Sequence, residues 1–228
     1  VRWGALRVAF ASSLIHDGSK AQTTMRVRRD AEPVRDERAI RWSPRSLDVD
    51  LELTQRVQSI ERELHDGVMW HCVAPCGDAI VRLPGRDLRG RGYAEVLEMS
   101  VAPWSLPIRE LRWGRAAGAQ RSLVWIQWIG AKPLRIAVLD GALAEAADIA
   151  DDSVRLADGM SVTLSDPIVL REDHLGRTLK PLRAIVPRLQ PMLTGAIERK
   201  WRSRATLAAP DRPRDEGWAI HELITFAD

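Results

Sequence analysis

A two-residue alternation of apolar and polar side chains recurs along this chain, and it constrains the fold more than any other feature. Leu47-Asp48-Val49-Asp50-Leu51-Glu52-Leu53 puts four aliphatics on one parity and three carboxylates on the other. Successive strand side chains point to opposite faces, so the segment reads as a strand with one face buried and one in water. The pattern returns, less cleanly, over 79–83, 93–101, 122–129, 134–139, 159–164, 201–207 and 218–226. Asp140-Gly141 between two apolar runs reads as a tight hairpin turn. Pro84-Gly85 and Gly90-Arg91-Gly92 read as further turns. Many short strands joined by turns predict an all-β, mainly antiparallel protein, a barrel or a sandwich. Helical spacing is confined to 55–64, where Val57, Ile60 and Leu64 share a face, and to 182–200, which Pro187 and Pro191 would break. Residues 1–45 are less regular and are expected to be an irregular N-terminal segment, a separate sheet or the remnant of a preceding β domain. Residues 46–228 are expected to form the barrel.

At 228 residues with 45% apolar side chains, the chain can build a substantial core. No uncharged run reaches the roughly 20 residues that a membrane-spanning helix needs, so no integral membrane segment is expected. The apolar start, Val1 to Ile15, is interrupted by Arg7 and is followed by no small-residue cleavage site. Thirty arginines and four lysines are mixed with acidic residues to a net charge of +3. Without a basic block, a nucleic-acid partner is not expected. Cys72 and Cys76 are too few for a disulfide framework, which points to a reducing, cytoplasmic setting.

Nine tryptophans stand against one tyrosine and two phenylalanines. Trp70, Trp113, Trp125 and Trp218 lie in or beside expected strands, where they either fill a core or line a pocket for a flat, apolar ligand. Two carboxylates share a strand face with apolar residues: Glu95 with Tyr93, Leu97, Met99 and Val101, and Glu222 with Trp218, Ile220, Ile224 and Phe226. A carboxyl group on an apolar face holds its proton more tightly and can donate it to a substrate. The alternative is an ion pair, for Glu95 with Arg112 or Arg115. The spacing His65…His71-Cys72…Cys76 matches no structural zinc pattern, so no metal is expected.

The block Gly90-Arg91-Gly92-Tyr93-Ala94-Glu95, followed by Pro103-Trp104, Leu111-Arg112-Trp113-Gly114-Arg115 and Leu123-Val124-Trp125-Ile126-Gln127-Trp128, resembles the lipocalin-like family of the carotenoid hydratases (hydroxyneurosporene synthases). The resemblance covers residues 45–228 in layout. It implies a lipocalin-like β-barrel with few short helices and an inner cavity for a small hydrophobic, isoprenoid-like molecule. It also implies acid-catalysed hydration (a lyase reaction) or cyclisation of an alkene, with no cofactor. On that mapping Tyr93 and Glu95 take the tyrosine and acidic positions, and Trp113-Gly114 the later pair. Val96 and Leu97 follow Glu95 where the hydratase pattern has a histidine. The expected site is therefore Glu95 as proton donor, Tyr93 as its orienting partner and Glu222 as second carboxylate. Its expected wall is Trp113, Arg115, Trp125, Trp218, Trp70 and His71. A carrier that holds a lipophilic ligand without reaction, and a structural β domain with all its tryptophans in the core, are the alternatives.

Overall fold

A computed structural model describes residues 2–3, 6–7, 10–16, 24–29, 32–44, 46–178 and 190–227. The early strands are β1 (Arg2–Trp3), β2 (Leu6–Arg7), β3 (Phe10–Ile15), β4 (Thr24–Arg29), β5 (Val34–Arg35), β6 (Ala39–Trp42) and β7 (Asp50–Gln55). Then come β8 (Ile60–His65), β9 (Val68–Leu83), β10 (Arg86–Met99), β11 (Ile108–Gly118), β12 (Ser122–Gly130) and β13 (Leu134–Leu139). The last are β14 (Ala142–Ala144), β15 (Ala146–Ile149), β16 (Ser153–Leu156), β17 (Ser161–His174), β18 (Ile197–Ala208) and β19 (Asp215–Thr225). Two short helices, α1 (Leu175–Thr178) and α2 (Pro191–Thr194), separate β17 from β18. The protein is all-β, with a nearly closed barrel and a half-barrel sheet.

The chain divides into two compact units that interleave in sequence. One comprises 1–57 with 76–94, and the other 58–75 with 95–228. Strands β9 and β10 therefore each contribute residues to both units.

In the smaller unit β7 pairs antiparallel with β6 and with the second half of β9, in the register Leu51↔Val81 and Leu53↔Ala79. Leu53 is the buried side chain of β7. The alternation read at 47–53 enters the strand only at Asp50, because Ser46–Asp48 form a turn with Asp48 at φ 51°. Leu47 is nonetheless buried. The expected turn at Gly90–Gly92 is absent; these residues lie inside β10. Gly92 is there because a side chain would collide with Leu53 and Ala79, so packing rather than a turn requires it. Pro84-Gly85 does form the β9–β10 hairpin, with Gly85 at φ 78°.

The larger unit holds a nine-stranded antiparallel sheet in the order β14-β13-β12-β11-β19-β18-β17-β16-β15. Its two ends approach through Arg135 Nη1 on β13, which donates to Ala147 O on β15 at 3.2 Å. Asp140 and Gly141 both have positive φ, as the two-residue turn from β13 to β14 requires. One parity of the sheet packs into the core: Ala116, Leu123, Trp125, Ala137, Met160, Val162, Ala205, Leu207 and Ala219. This parity defines the barrel interior.

The helix expected over 55–64 is absent. Residues 60–65 form β8, which runs into β9 through the Asp66-Gly67 turn. Pairing with β9 overrides a three-residue apolar spacing too short to hold a helix. Of the stretch 182–200, residues up to 189 lie outside those described, α2 is a single turn, and β18 begins at Ile197.

Candidate functional site

The interior parity fixes what stands on the other face of the barrel wall. Outward-pointing residues on three neighbouring strands stand in rungs. Ala117, Trp218 and Arg204 form one, followed by Arg115, Ile220 and Arg202, then Trp113, Glu222 and Lys200. The strand register therefore sets a carboxyl group between an indole and an ammonium.

Glu222 lies at the centre of a buried charged cluster. Lys200 Nζ is 2.7 Å from Glu222 Oε2 and 3.3 Å from Glu198 Oε1, so one ammonium serves two carboxyl groups. Arg171 Nη1 holds the other oxygen of Glu198 at 3.0 Å. The side chains of Glu198 and Glu222 are only 6% and 15% exposed. Burial pushes the Glu222 carboxyl above its ordinary value of 4.5; Lys200 opposes this, and the negative charges of Glu198 and Glu95 add to it. Lys200 is itself raised: burial disfavours its charge, and Glu222 and Glu198 together outweigh burial. Glu198 and Glu222 thus share Lys200, and it is Glu222 whose ionised form burial disfavours.

Glu95 enters from β10. Its Oε2 accepts a hydrogen bond from Trp70 Nε1 at 2.5 Å, and Trp70 is 1% exposed. Glu95 itself is exposed, as are Val96, Leu97 and Met99. The apolar face expected around Glu95 is thus open, with both parities of 95–99 exposed. Burial acts on Glu222 instead. Arg112, one alternative partner for Glu95, points into the barrel and pairs with Glu110 at 2.9 Å and Asp151 at 3.1 Å.

Trp113 stands opposite Glu222 in the β11–β19 register, and Arg115 is one rung away beside Ile220. Trp125 belongs to the packed interior and is 2% exposed. Trp218 is 49% exposed beneath the guanidinium groups of Arg202 and Arg204, at 4.5 and 5.5 Å from its ring centroid. His71 turns to Glu61 at 3.2 Å and Glu98 at 4.0 Å. Tyr93 is half-buried in the smaller unit. The structure therefore brings Glu222, Trp113, Glu95 and Trp70 into one unit and puts Trp125 inside the wall.

His221 points into the barrel, away from Glu222. Its Nε2 is 2.9 Å from Ser203 Oγ, and its ring stacks on Trp201 at 5.2 Å. Burial lowers its pKa from 6.5, against the pull of Asp151. Gly114 allows this packing, because a side chain there would strike the Trp125 ring and His221 Cβ.

Glu198, Lys200 and Arg171 are the members of the cluster that the sequence reading missed. Glu198, Lys200 and Arg202 alternate with Arg199 and Trp201 at strand period, and that signal was available. It was masked because the segment up to 200 also fits a helix. Among the described residues no group of three or more His, Cys, Asp or Glu side chains could hold a metal ion. In the smaller unit an open cleft of about 490 Å³ is lined by charged residues including Glu52, Asp78 and Arg91. Asp78 holds Arg91 at 2.5 Å in this cleft, whose lining also includes Ala79 and Ile80.

A nearly closed antiparallel barrel with a half-barrel sheet is a lipocalin-like architecture, in agreement with the resemblance read from the sequence. No family model matches the chain, and no curated protein matches it in sequence. Among solved structures the chain is similar to CghA, with a TM-score of 0.51 at 9% identity over 97% of this chain and 85% of that one. It is also similar to kievitone hydratase from Nectria haematococca, with a TM-score of 0.48 at 9% identity over 90% and 76%. At such identities the likeness to CghA concerns the fold alone.

Proposed function

We propose that this protein binds a small apolar molecule against Trp113 and Glu222 on the outer barrel wall and acts on it by proton transfer from Glu222. The observation that carries this reading is the single ammonium shared by two buried carboxyl groups. That geometry makes Glu222 the carboxyl group of the pair that gains a proton more readily, and a transferable proton is what hydration or cyclisation of an alkene requires. In the hydration form, the Glu222 O–H bond breaks as a C–H bond forms on the alkene. The cationic carbon lies against the electron-rich face of Trp113. Water adds to that carbon, and its surplus proton returns to the Glu222 carboxylate, so the acid is regenerated. Glu95, fixed by Trp70, is the second negative charge that steadies the cation. No cofactor takes part in these steps. Neither cysteine is in a disulfide, and no helix among the described residues is long and apolar enough to cross a membrane. The free thiols are compatible with the reducing, cytoplasmic setting we propose.

The test is a tryptophan-fluorescence titration with a panel of isoprenoids and fatty acids, each bound ligand then being analysed for added water or ring closure. Saturable quenching with conversion is expected. Saturable quenching without conversion would leave a carrier, and no response to any compound would leave a structural β domain.

A further inference from the structure

The rung beside the acid carries an unused cation. Lys200 is shared between Glu222 and Glu198, Arg171 holds Glu198, and Arg204 lies 3.6 Å from Asp166. Arg202 stands on the same outer face, in register with Ile220, and forms no ion pair among the described residues. Its guanidinium stacks on Trp218 at 4.5 Å, and its Nε is buried without a hydrogen-bond partner. Guanidinium is charged at all relevant pH, and a buried N–H donor left unpaired loses its hydration with nothing in return. The stack on Trp218 fixes its plane but supplies no acceptor. An oxyanion would, because a planar fork of donors matches a carboxylate.

Arg202 and Lys200 are two residues apart on one strand, so Arg202 stands about 7 Å along the wall from the rung of Glu222. Ile220 stands beside Arg202 in its rung, two residues from Glu222 on the same face of β19, and presents an apolar floor. We infer that the molecule acted on at Glu222 is an amphipathic acid, whose carboxylate binds Arg202 while its apolar body lies over Ile220 towards Trp113. This inference rests on the proposed proton transfer for its site and adds the class of substrate. It also gives Trp218 a role: its exposed ring holds the arginine in place.

The test compares dodecanoic acid with dodecanol, two ligands of equal chain length that differ in the anionic head, by fluorescence titration at neutral pH. A charge-assisted hydrogen bond to a carboxylate is expected to make the acid bind about ten-fold tighter than the alcohol. Arg202→Gln is expected to bring the two affinities together while leaving dodecanol binding unchanged, and Arg204→Gln is expected to keep the preference. Only the ratio is read, so a general loss of stability does not mimic the result. Equal affinities in the parent protein, or a preference that survives Arg202→Gln, would overturn the inference and leave the proposed function standing. Failure of both ligands to bind would overturn both.

Discussion

Glu222→Gln is expected to bind an apolar ligand within about two-fold of the parent and to lose its conversion by about 10²–10⁴-fold, the usual contribution of a positioned general acid. The amide keeps the size of the carboxyl group and the neutrality of its protonated form, so contacts with Trp113 and Lys200 survive while the transferable proton does not. The fold is expected to tolerate the change, because the amide oxygen still accepts from Lys200 Nζ, which lies 2.7 Å from the carboxyl oxygen in the parent. Urea unfolding and turnover measured on the same preparation separate the two effects. Full turnover in a folded Glu222→Gln protein would remove Glu222 from the mechanism.

Lys200→Met is expected to have the largest effect on stability. It strips the shared cation from two carboxyl groups that are only 6% and 15% exposed. Breaking a buried ion pair from one side leaves an uncompensated charge and costs about 3–5 kcal/mol. Glu198 retains Arg171, so most of that cost falls on the ionised form of Glu222, and the loss is expected to grow as pH rises above 4.5. Adding Glu222→Gln to Lys200→Met is therefore expected to restore much of the loss, a non-additivity that a double-mutant cycle in urea reads directly. Additive losses would show that the two groups do not share their charge balance.

The barrel was legible because its cause is local. Alternation over 122–129, 134–139 and 218–226 fixes which side chains face inward, and the observed register keeps those faces together. The parity argument also placed Glu222 and His221 on opposite faces of the last strand. What failed was non-local. Val57, Ile60 and Leu64 fit a helix until β9 is there to pair with Ile60–His65. Glu95 shares its parity with Leu97 and Met99, yet that face is open, because alternation shows which residues share a face and not what packs on it. Trp125 read as either pocket wall or core, and its burial together with the facing Gly114 shows that its ring has a place reserved inside. The shared lysine of the cluster was hidden most deeply. It requires β18 and β19 to lie side by side with Lys200 opposite Glu222, a pairing no single strand encodes.

The central claim is that Glu222 holds its proton where an ordinary glutamate has lost it. A carboxyl group whose folded pKa is raised adds stability that is complete below 4.5 and disappears as pH rises through the folded value. The most direct measurement is a pH titration of the glutamate side-chain carboxyl carbons by NMR, with the Glu222 signal assigned by its absence in Glu222→Gln. The account predicts that this signal titrates above 4.5 and moves down when Glu198→Gln removes the neighbouring charge. A Glu222 signal that titrates at or below 4.5 would contradict it, and with it the proton donor on the outer wall of the barrel.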